Sequence, residues 1–397
     1  MTTDKQHKIL NVPPLRFPEF SGEWKKYSLS DFTERVTRRN KNNVCKLPLT
    51  ISAQYGLVDQ ITFFNKQIAS TDMSNYYLMK KGEFTYNKSY SGDYPWGAVK
   101  RLDRYDEGCL SSLYICFSLK PGVNSDFITH YFETSKWYRG VSEIAGEGAR
   151  NHGLLNIAIP DYFETKHYLP TNLQEQEKIA QLFNLLTERI EAQNKIIEDL
   201  KTLKSAIIEK SYNCGGDVCK IGDLIIQVSK RNKQNNYPVL SVNNRLGFIE
   251  QADQFEDRTV ASEDTSNYKV VSHNDFAYNP ARINVGSIAR LKDRTNGIVS
   301  PMYVCFHTKQ SLLPEYMEYF FDTTYFKHEM FKRLEGSVRL CLSFEGLCNI
   351  SIGVPTIKEQ TDLSNRISII EQKIQLERKL LDAYKSQKMY LLHQMFT

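Results

Sequence analysis

PTNLQEQEKIAQLFNLLTERIEAQNKIIEDLKTLKSAIIEK, residues 170–210, decides the architecture. Its apolar residues Ile179, Phe183, Leu186, Ile190, Ile197, Leu200 and Ile207 follow one another by steps of four, three or their sum, the seam of a long helix. The end of the chain carries the same seam at Leu363, Ile367, Ile370, Ile374, Leu381, Tyr384 and Leu391, each at one constant interval after its counterpart. The polar interruptions match as well: Gln193 and Lys204 in the first seam answer to Glu377 and Lys388 in the second. Pro-Thr and Glu-Gln precede both helices, as Pro170, Thr171, Glu175 and Gln176 and as Pro355, Thr356, Glu359 and Gln360. Unrelated helices would rarely share their exceptions, so the chain reads as one unit written twice.

The segments ahead of the helices correspond too. SDFTERVTRRNKNN (30–43) aligns with GDLIIQVSKRNKQN (222–235), and LPLTISAQYGLVDQ (47–60) with YPVLSVNNRLGFIEQ (237–251). SNYYLMKKGEFTYNKSY (74–90) matches SNYKVVSHNDFAYNPAR (266–282), and GCLSSLYICF (108–117) matches GIVSPMYVCF (297–306). Short runs of valine, isoleucine, tyrosine and phenylalanine punctuated by glycine, asparagine and proline predict strands and turns. The expected fold is α+β: two mixed, strand-rich domains at 1–169 and 214–354, with long helices at 170–213 and 355–397. Heptad spacing alone allows the two helices to pair in either direction.

Composition sets the outer limits. The 397 residues are too many for one ordinary domain, and 41% hydrophobic with 24% charged is a globular balance, not a disordered one. No apolar run approaches the roughly 20 residues of a membrane span, and MTTDKQHKIL lacks the apolar stretch of a signal peptide, so a cytoplasmic protein with no membrane partner is expected. Cys45, Cys109, Cys116, Cys214, Cys219, Cys305, Cys341 and Cys348 are scattered without CxxC pairs, so no structural metal is expected. Cys116 and Cys305 sit in apolar runs and read as small core residues.

A net charge of +5 permits a polyanionic partner, and placement must decide. Three matched groups stand out. Arg35, Arg38, Arg39 and Lys41 answer to Lys230, Arg231 and Lys233, cations beside asparagine-rich turns that suit phosphate contact or a solvated surface. Asn87, Lys88, Ser89 and Tyr90 answer to Asn279, Arg282 and Asn284. Such side chains hydrogen-bond base edges, although the shared position of Asn87 and Asn279 favours a turn or a phosphate contact over base reading. The third group, Arg150, Asn151 and His152 beside Gly148, lines up with Arg339. Arg150 and Arg339 are the strongest single candidates for contact with such a polyanion, DNA if the partner is a nucleic acid, whereas His152 suits a turn equally well.

In layout and motifs the chain resembles the specificity subunits (HsdS family) of type I DNA restriction-modification systems. The resemblance rests on the duplicated order of domain and helix, and on LPLTISAQYGLVDQ, FTYNKSY, LSSLYICF and EGARNHGLLNIAI. It implies two target recognition domains, each reading one part of a bipartite, asymmetric target in double-stranded DNA. It also implies an antiparallel coiled-coil pair that separates them, a pseudo-twofold internal repeat, and docking of two modification (methyltransferase) subunits. By the same resemblance this chain binds no cofactor itself. S-adenosylmethionine belongs to the methyltransferase partner, and ATP and magnesium to the restriction subunits.

The residues agree with a non-catalytic role. An adenine methyltransferase needs an Asn/Asp-Pro-Pro-aromatic run, and Asn279-Pro280-Ala281 lacks the second proline and the ring. GxxxxGK[ST], HExxH and GxSxG runs are absent, and Gly146-Glu147-Gly148 is a lone GxG. A purely protein-binding coiled-coil adaptor would explain the seams but not two matched domains with arginine-rich loops.

Overall fold

A computed structural model of the chain describes residues 11–52, 55–66, 68–146, 153–213, 216–233, 237–244, 246–251, 264–336 and 339–397. Both seams are helices: a central helix, Leu173–Asn213, and a C-terminal helix, Ile357–Gln394. At 1.5 Å per residue the central one is about 60 Å long. Asn172 Oδ1 accepts from Gln174 N (2.9 Å) at its start, and Thr356 and Glu359 exchange hydrogen bonds at the start of the other. The helices run antiparallel, because partners descend along one as they rise along the other. Lys388 Nζ donates to Thr187 Oγ1 (2.9 Å), Arg189 Nε to Tyr384 Oη (3.1 Å), and Lys204 Nζ to Glu371 Oε1 (2.6 Å).

Among the seam residues Ile179, Phe183, Ile197, Leu363, Ile367, Ile374 and Leu381 are buried, and so are the polar members Gln193 and Glu377. Leu186, Ile190, Leu200, Ile370 and Tyr384 are half-buried. At the far ends the pattern moves by one residue. Ile208 and Leu392 are buried, whereas Ile207 and Leu391 are only partly so. A straight helix of 3.6 residues per turn drifts off a seven-residue repeat, and these last turns dock into domain cores.

That docking sets the division of the chain. One compact unit holds the residues up to Gln193 together with Leu380–Thr397, and the other holds Asn194–Lys379. Each unit thus includes part of each helix. The first core gathers Trp24, Phe127, Tyr131 and Trp137 with Ile179, Ala180, Phe183, Leu392, Met395 and Phe396. The second gathers Tyr316, Met317, Phe320 and Leu347 with Ile208, Leu363 and Ile367.

A glutamine fastens each helix to its domain. Gln176 Oε1 accepts from Asn124 N (2.8 Å) while its Nε2 donates to Pro170 O (2.9 Å). Gln360 does the same with Leu313 N (2.8 Å) and Pro355 O (2.9 Å). Glu175 has a use that Glu359 lacks: buried, it takes Arg16 on both oxygens at 2.7 Å and accepts from Trp24 Nε1 (3.2 Å). Leu15 N of the same N-terminal arm caps Gln394 O at 3.0 Å.

In the first unit Lys25–Ser28 pairs antiparallel with Lys166–Leu169, leading into the central helix. The main sheet has the order Thr33–Arg35, Ile115–Leu119, Phe84–Asn87, Ala98–Arg101. Leu49–Ser52 with Gly56–Asp59, and Tyr77–Lys80 with Glu107–Leu110, form smaller pairs. The second unit has the corresponding order: Asp217–Lys220 with Ser351–Val354, then Ile225–Val228, Val304–Thr308, Phe276–Tyr278, Ile288–Arg290. Its other sheet runs Gly247–Glu250, Val239–Asn243, Asn296–Val299, Lys269–Ser272. Cys116 and Cys305 lie fully inside, and burial pushes both thiols up to about 12.

His167 supplies a pH-dependent term. Its ring is buried 2.9 Å from both Tyr131 Oη and Thr165 Oγ1, and burial lowers its pKa from 6.5 to about 3. The unfolded imidazole binds a proton near pH 6.5 but the folded one only near 3. Stability contributed by the neutral ring is therefore lost as the pH falls through that window, by up to about 1.4 kcal/mol per pH unit. The chain has three tryptophans, Trp24, Trp96 and Trp137, all in the first unit, so their fluorescence reports its unfolding. In denaturant titrations between pH 7 and 4, His167→Gln is expected to flatten the loss. An equal slope in the variant would remove His167 as its source.

Candidate nucleic-acid interface

The main sheets bring the matched groups together. Thr33–Arg35 and Phe84–Asn87 both run antiparallel to Ile115–Leu119, hence parallel in direction to each other. Their continuations, Arg38 to Lys41 and Lys88 to Tyr90, therefore leave the sheet at the same end. The turn Ser111–Tyr114, which enters Ile115–Leu119, lies there too. Ile225–Val228, Phe276–Tyr278 and Val304–Thr308 repeat this in the second unit, delivering Lys230 to Lys233, Asn279 to Asn284 and the turn Ser300–Tyr303 to one end.

The first group in each unit is built on the main chain. Arg39 bridges to Tyr77 and Arg231 to Lys269, and each guanidinium donates to a nearby carbonyl, Asn75 O (2.6 Å) and Asn267 O (2.5 Å). Arg39 also lies over the Tyr77 ring at 4.2 Å, and Arg35 reaches the Tyr77 hydroxyl at 3.3 Å. Arg38 is partly occupied, because Glu83 binds its guanidinium at 2.7 and 2.8 Å. Arg35, Arg39, Lys41, Lys230, Arg231 and Lys233 are exposed. Asn42 and Asn43 take left-handed backbone (φ 58° and 51°), a conformation asparagine tolerates, and this turns the chain just after Lys41.

The asparagines of the second group close turns. Asn87 Oδ1 accepts from Ser89 N (3.0 Å) and Asn279 Oδ1 from Ala281 N (3.1 Å). Gly97, at φ +80°, sits against Asn87, where an added Cβ would come within 2.1 Å of Asn87 O. Lys88 and Tyr90 are half-buried, whereas Ser89, Arg282 and Asn284 are exposed.

Main-chain bonds join the second group to the third. Leu155 N donates to Lys88 O (2.9 Å) and Tyr90 N to Gly153 O (3.1 Å), so the segment directly after Arg150, Asn151 and His152 is fixed beside the Lys88–Tyr90 loop. Those three residues themselves lie outside the described residues. In the second unit Leu342 N donates to Pro280 O (3.1 Å), Glu335 and Cys341 form an antiparallel bridge, and Arg339, between them in sequence, is exposed.

Two residues with no place among the sequence candidates share this end: Leu113 and Met302, at the same position of the two turns, are 60% and 61% exposed. Their sequence signal is an apolar side chain in the turn of each matched block, SSLY and SPMY. The arrangement in each unit is an end surface of cations, amides and hydroxyls on a rigid sheet, able to hydrogen-bond a polyanion and the edges of its bases.

Solved structures share this architecture. The S subunit of a type I restriction-modification system from M. genitalium is 15% identical and superposes with a TM-score of 0.55, over 97% of this chain and 99% of that one. A chain from a structure described for complex assembly and conformational transition of the type I R-M system is 13% identical, with a TM-score of 0.56 over 94% and 97%. No family model and no curated protein sequence matches the chain. The fold is that of the S subunits of type I restriction-modification systems.

Proposed function

We propose that this chain is the DNA sequence-specificity subunit of a type I restriction-modification complex. Each strand-rich domain, 1–169 and 214–354, reads one half of a bipartite, asymmetric target. The helices at 170–213 and 355–397 form the coiled-coil strut of an internal repeat, set the distance between the halves and dock the methyltransferase subunits. The observation that carries this reading is the convergence, in each unit, of matched cation and asparagine groups at one end of an equivalent sheet. Phosphate contacts from Arg35, Arg39, Lys41, Lys230, Arg231 and Lys233 would supply affinity and salt dependence, and Arg150 together with the loops around Lys88 to Tyr90, Arg282 to Asn284 and Arg339 would supply base discrimination. The chain itself performs no chemistry in this reading. Methyl transfer from S-adenosylmethionine falls to two modification subunits, and ATP- and magnesium-dependent work to restriction subunits, all in the cytoplasm.

The decisive experiment coexpresses the chain with its modification subunit in a methylation-free host and maps modified adenines. The expected map is a two-part target with a fixed interval. Methylation that needs no contribution from this chain would overturn the proposal. An adaptor binding only protein would give a complex without salt-dependent duplex affinity.

Docking is supported by apolar residues left outside the seam. In the second unit Ile196 and Leu203 of the central helix, and Ile369 and Leu376 of the C-terminal helix, are exposed. In the first unit Leu185 and Leu380 are exposed. Solvated helix faces rarely carry so regular an apolar stripe unless another helix covers it. Ile196→Glu combined with Leu203→Glu is expected to weaken capture of the modification subunit at least tenfold, with helix content by circular dichroism unchanged. Normal assembly would place the docking face elsewhere.

A further inference from the structure

We propose that Leu113 in the first unit and Met302 in the second make the apolar contact of each unit with DNA base edges, against thymine methyl groups. The inference rests on the reading of this chain as a DNA-specificity subunit and adds a class of contact to it.

The two residues occupy the same place. Each lies in a hydrogen-bonded turn, closed by Tyr114 N to Ser111 O (3.2 Å) and by Tyr303 N to Ser300 O (3.0 Å). The tyrosine that follows is held inward: Tyr114 Oη lies 3.3 Å from Thr50 Oγ1, and Tyr303 is buried with its hydroxyl against Val242 N at 3.3 Å. The turns thus present Leu113 and Met302 to solvent. Turn tips favour glycine, asparagine, aspartate and serine, and here the same position of both units carries a large exposed apolar side chain instead.

The neighbours indicate the partner. Tyr86 pairs with Ile115, so Asn87 and Lys88 continue alongside Tyr114 and Leu113, and Tyr278 pairs with Val304, so Asn279 and Pro280 continue alongside Tyr303 and Met302. In the second unit this adjacency is a contact, Asn279 Nδ2 to Met302 Sδ at 3.7 Å. Lys269 donates to Tyr303 O at 2.6 Å, placing a cation at the base of that turn. Each apolar tip therefore stands between the first and second groups, where a duplex held by those cations would present its groove. The thymine methyl is the apolar group on major-groove base edges. A target half methylated on adenine contains at least one A·T pair, so the methyl is available to both units. Leucine in one unit and methionine in the other would fit methyls differently placed in unlike halves.

The test uses the assembled complex of full chain and modification subunits on its mapped target. Leu113→Ser, at an exposed site, is expected to leave assembly intact and lower target affinity on the order of tenfold. The slope of log K against log salt should stay unchanged, because no phosphate contact is lost. Deoxyuridine in place of thymine in the half read by the first unit should weaken the wild type but not Leu113→Ser, and Leu113→Met should restore binding. Met302→Ser should act on the other half alone. Unchanged affinity, a reduced salt slope, impaired assembly, or equal sensitivity of variant and wild type to deoxyuridine would each overturn the inference. A complex that binds and methylates its target while ignoring these substitutions refutes only this contact, whereas a complex with no duplex preference refutes the specificity-subunit reading itself.

Discussion

If the proposed reading holds, a chain whose residues 20–165 are replaced by the same segment of an S subunit with a different target is expected to direct its modification subunits to a target altered in one half only. Among the described residues, the first unit draws its end surface from within that segment: Arg35 to Lys41, Lys88 to Tyr90, Ser111–Tyr114 and Gly153 to Leu155. The second unit draws its own from Lys230 to Leu342, so the two surfaces share no loop. Position 165 lies just before Lys166–Leu169, the strand that leads into the central helix, and position 20 follows Arg16, so the Arg16–Glu175 pair is retained. Gln176 grips Asn124 through a main-chain N–H, which an incoming domain can supply with a different side chain. Sequencing of methylated adenines reads the outcome. A change in both halves would break the two-reader proposal, and an unchanged target would remove this domain from recognition.

Phe183→Ala carries the largest expected cost in stability, about 3–5 kcal/mol for an aromatic ring removed from a closed core. Phe183 has no exposed surface and lies 5.8 Å from the Phe396 ring and 5.4 Å from His130, centroid to centroid. Trp24 and Phe127 also lie against Phe396, so these rings join the start of the central helix and the end of the C-terminal helix to the domain. Tryptophan fluorescence should show the first unit unfolding at markedly lower denaturant. A shift corresponding to less than about 1 kcal/mol would mean that the site collapses around the cavity.

The helices were legible because a seam needs only regular spacing, and two copies of the same irregularities, at Gln193 and Glu377, identify it. The one-residue displacement to Ile208 and Leu392 was not, because the heptad describes packing against a helix and these turns pack against a domain. The hairpin Leu49–Ser52 with Gly56–Asp59 follows from a glycine between β-branched runs, and Gly56 does take φ +76°. Sheet order did not follow, since pairing Arg35 with Phe117 depends on contacts far apart in sequence. At the candidate interface, the sequence marked cations but not their existing partners. Glu83 on Arg38, Asn75 O on Arg39 and Asn267 O on Arg231 become visible only in three dimensions. Leu113 and Met302 were missed because a search for charge and amides passes over an apolar side chain.

The atoms that hold these surface loops in place are those of the backbone: Leu155 N on Lys88 O in one unit, Leu342 N on Pro280 O in the other. A lysine and a proline occupy the accepting position equally well, so the anchor is indifferent to the letters written there. Diversification is thereby uncoupled from foldability: mutation can rewrite the side chains of these loops without loosening the frame that presents them, and in the proposed reading a new modification pattern would need no rebuilt scaffold.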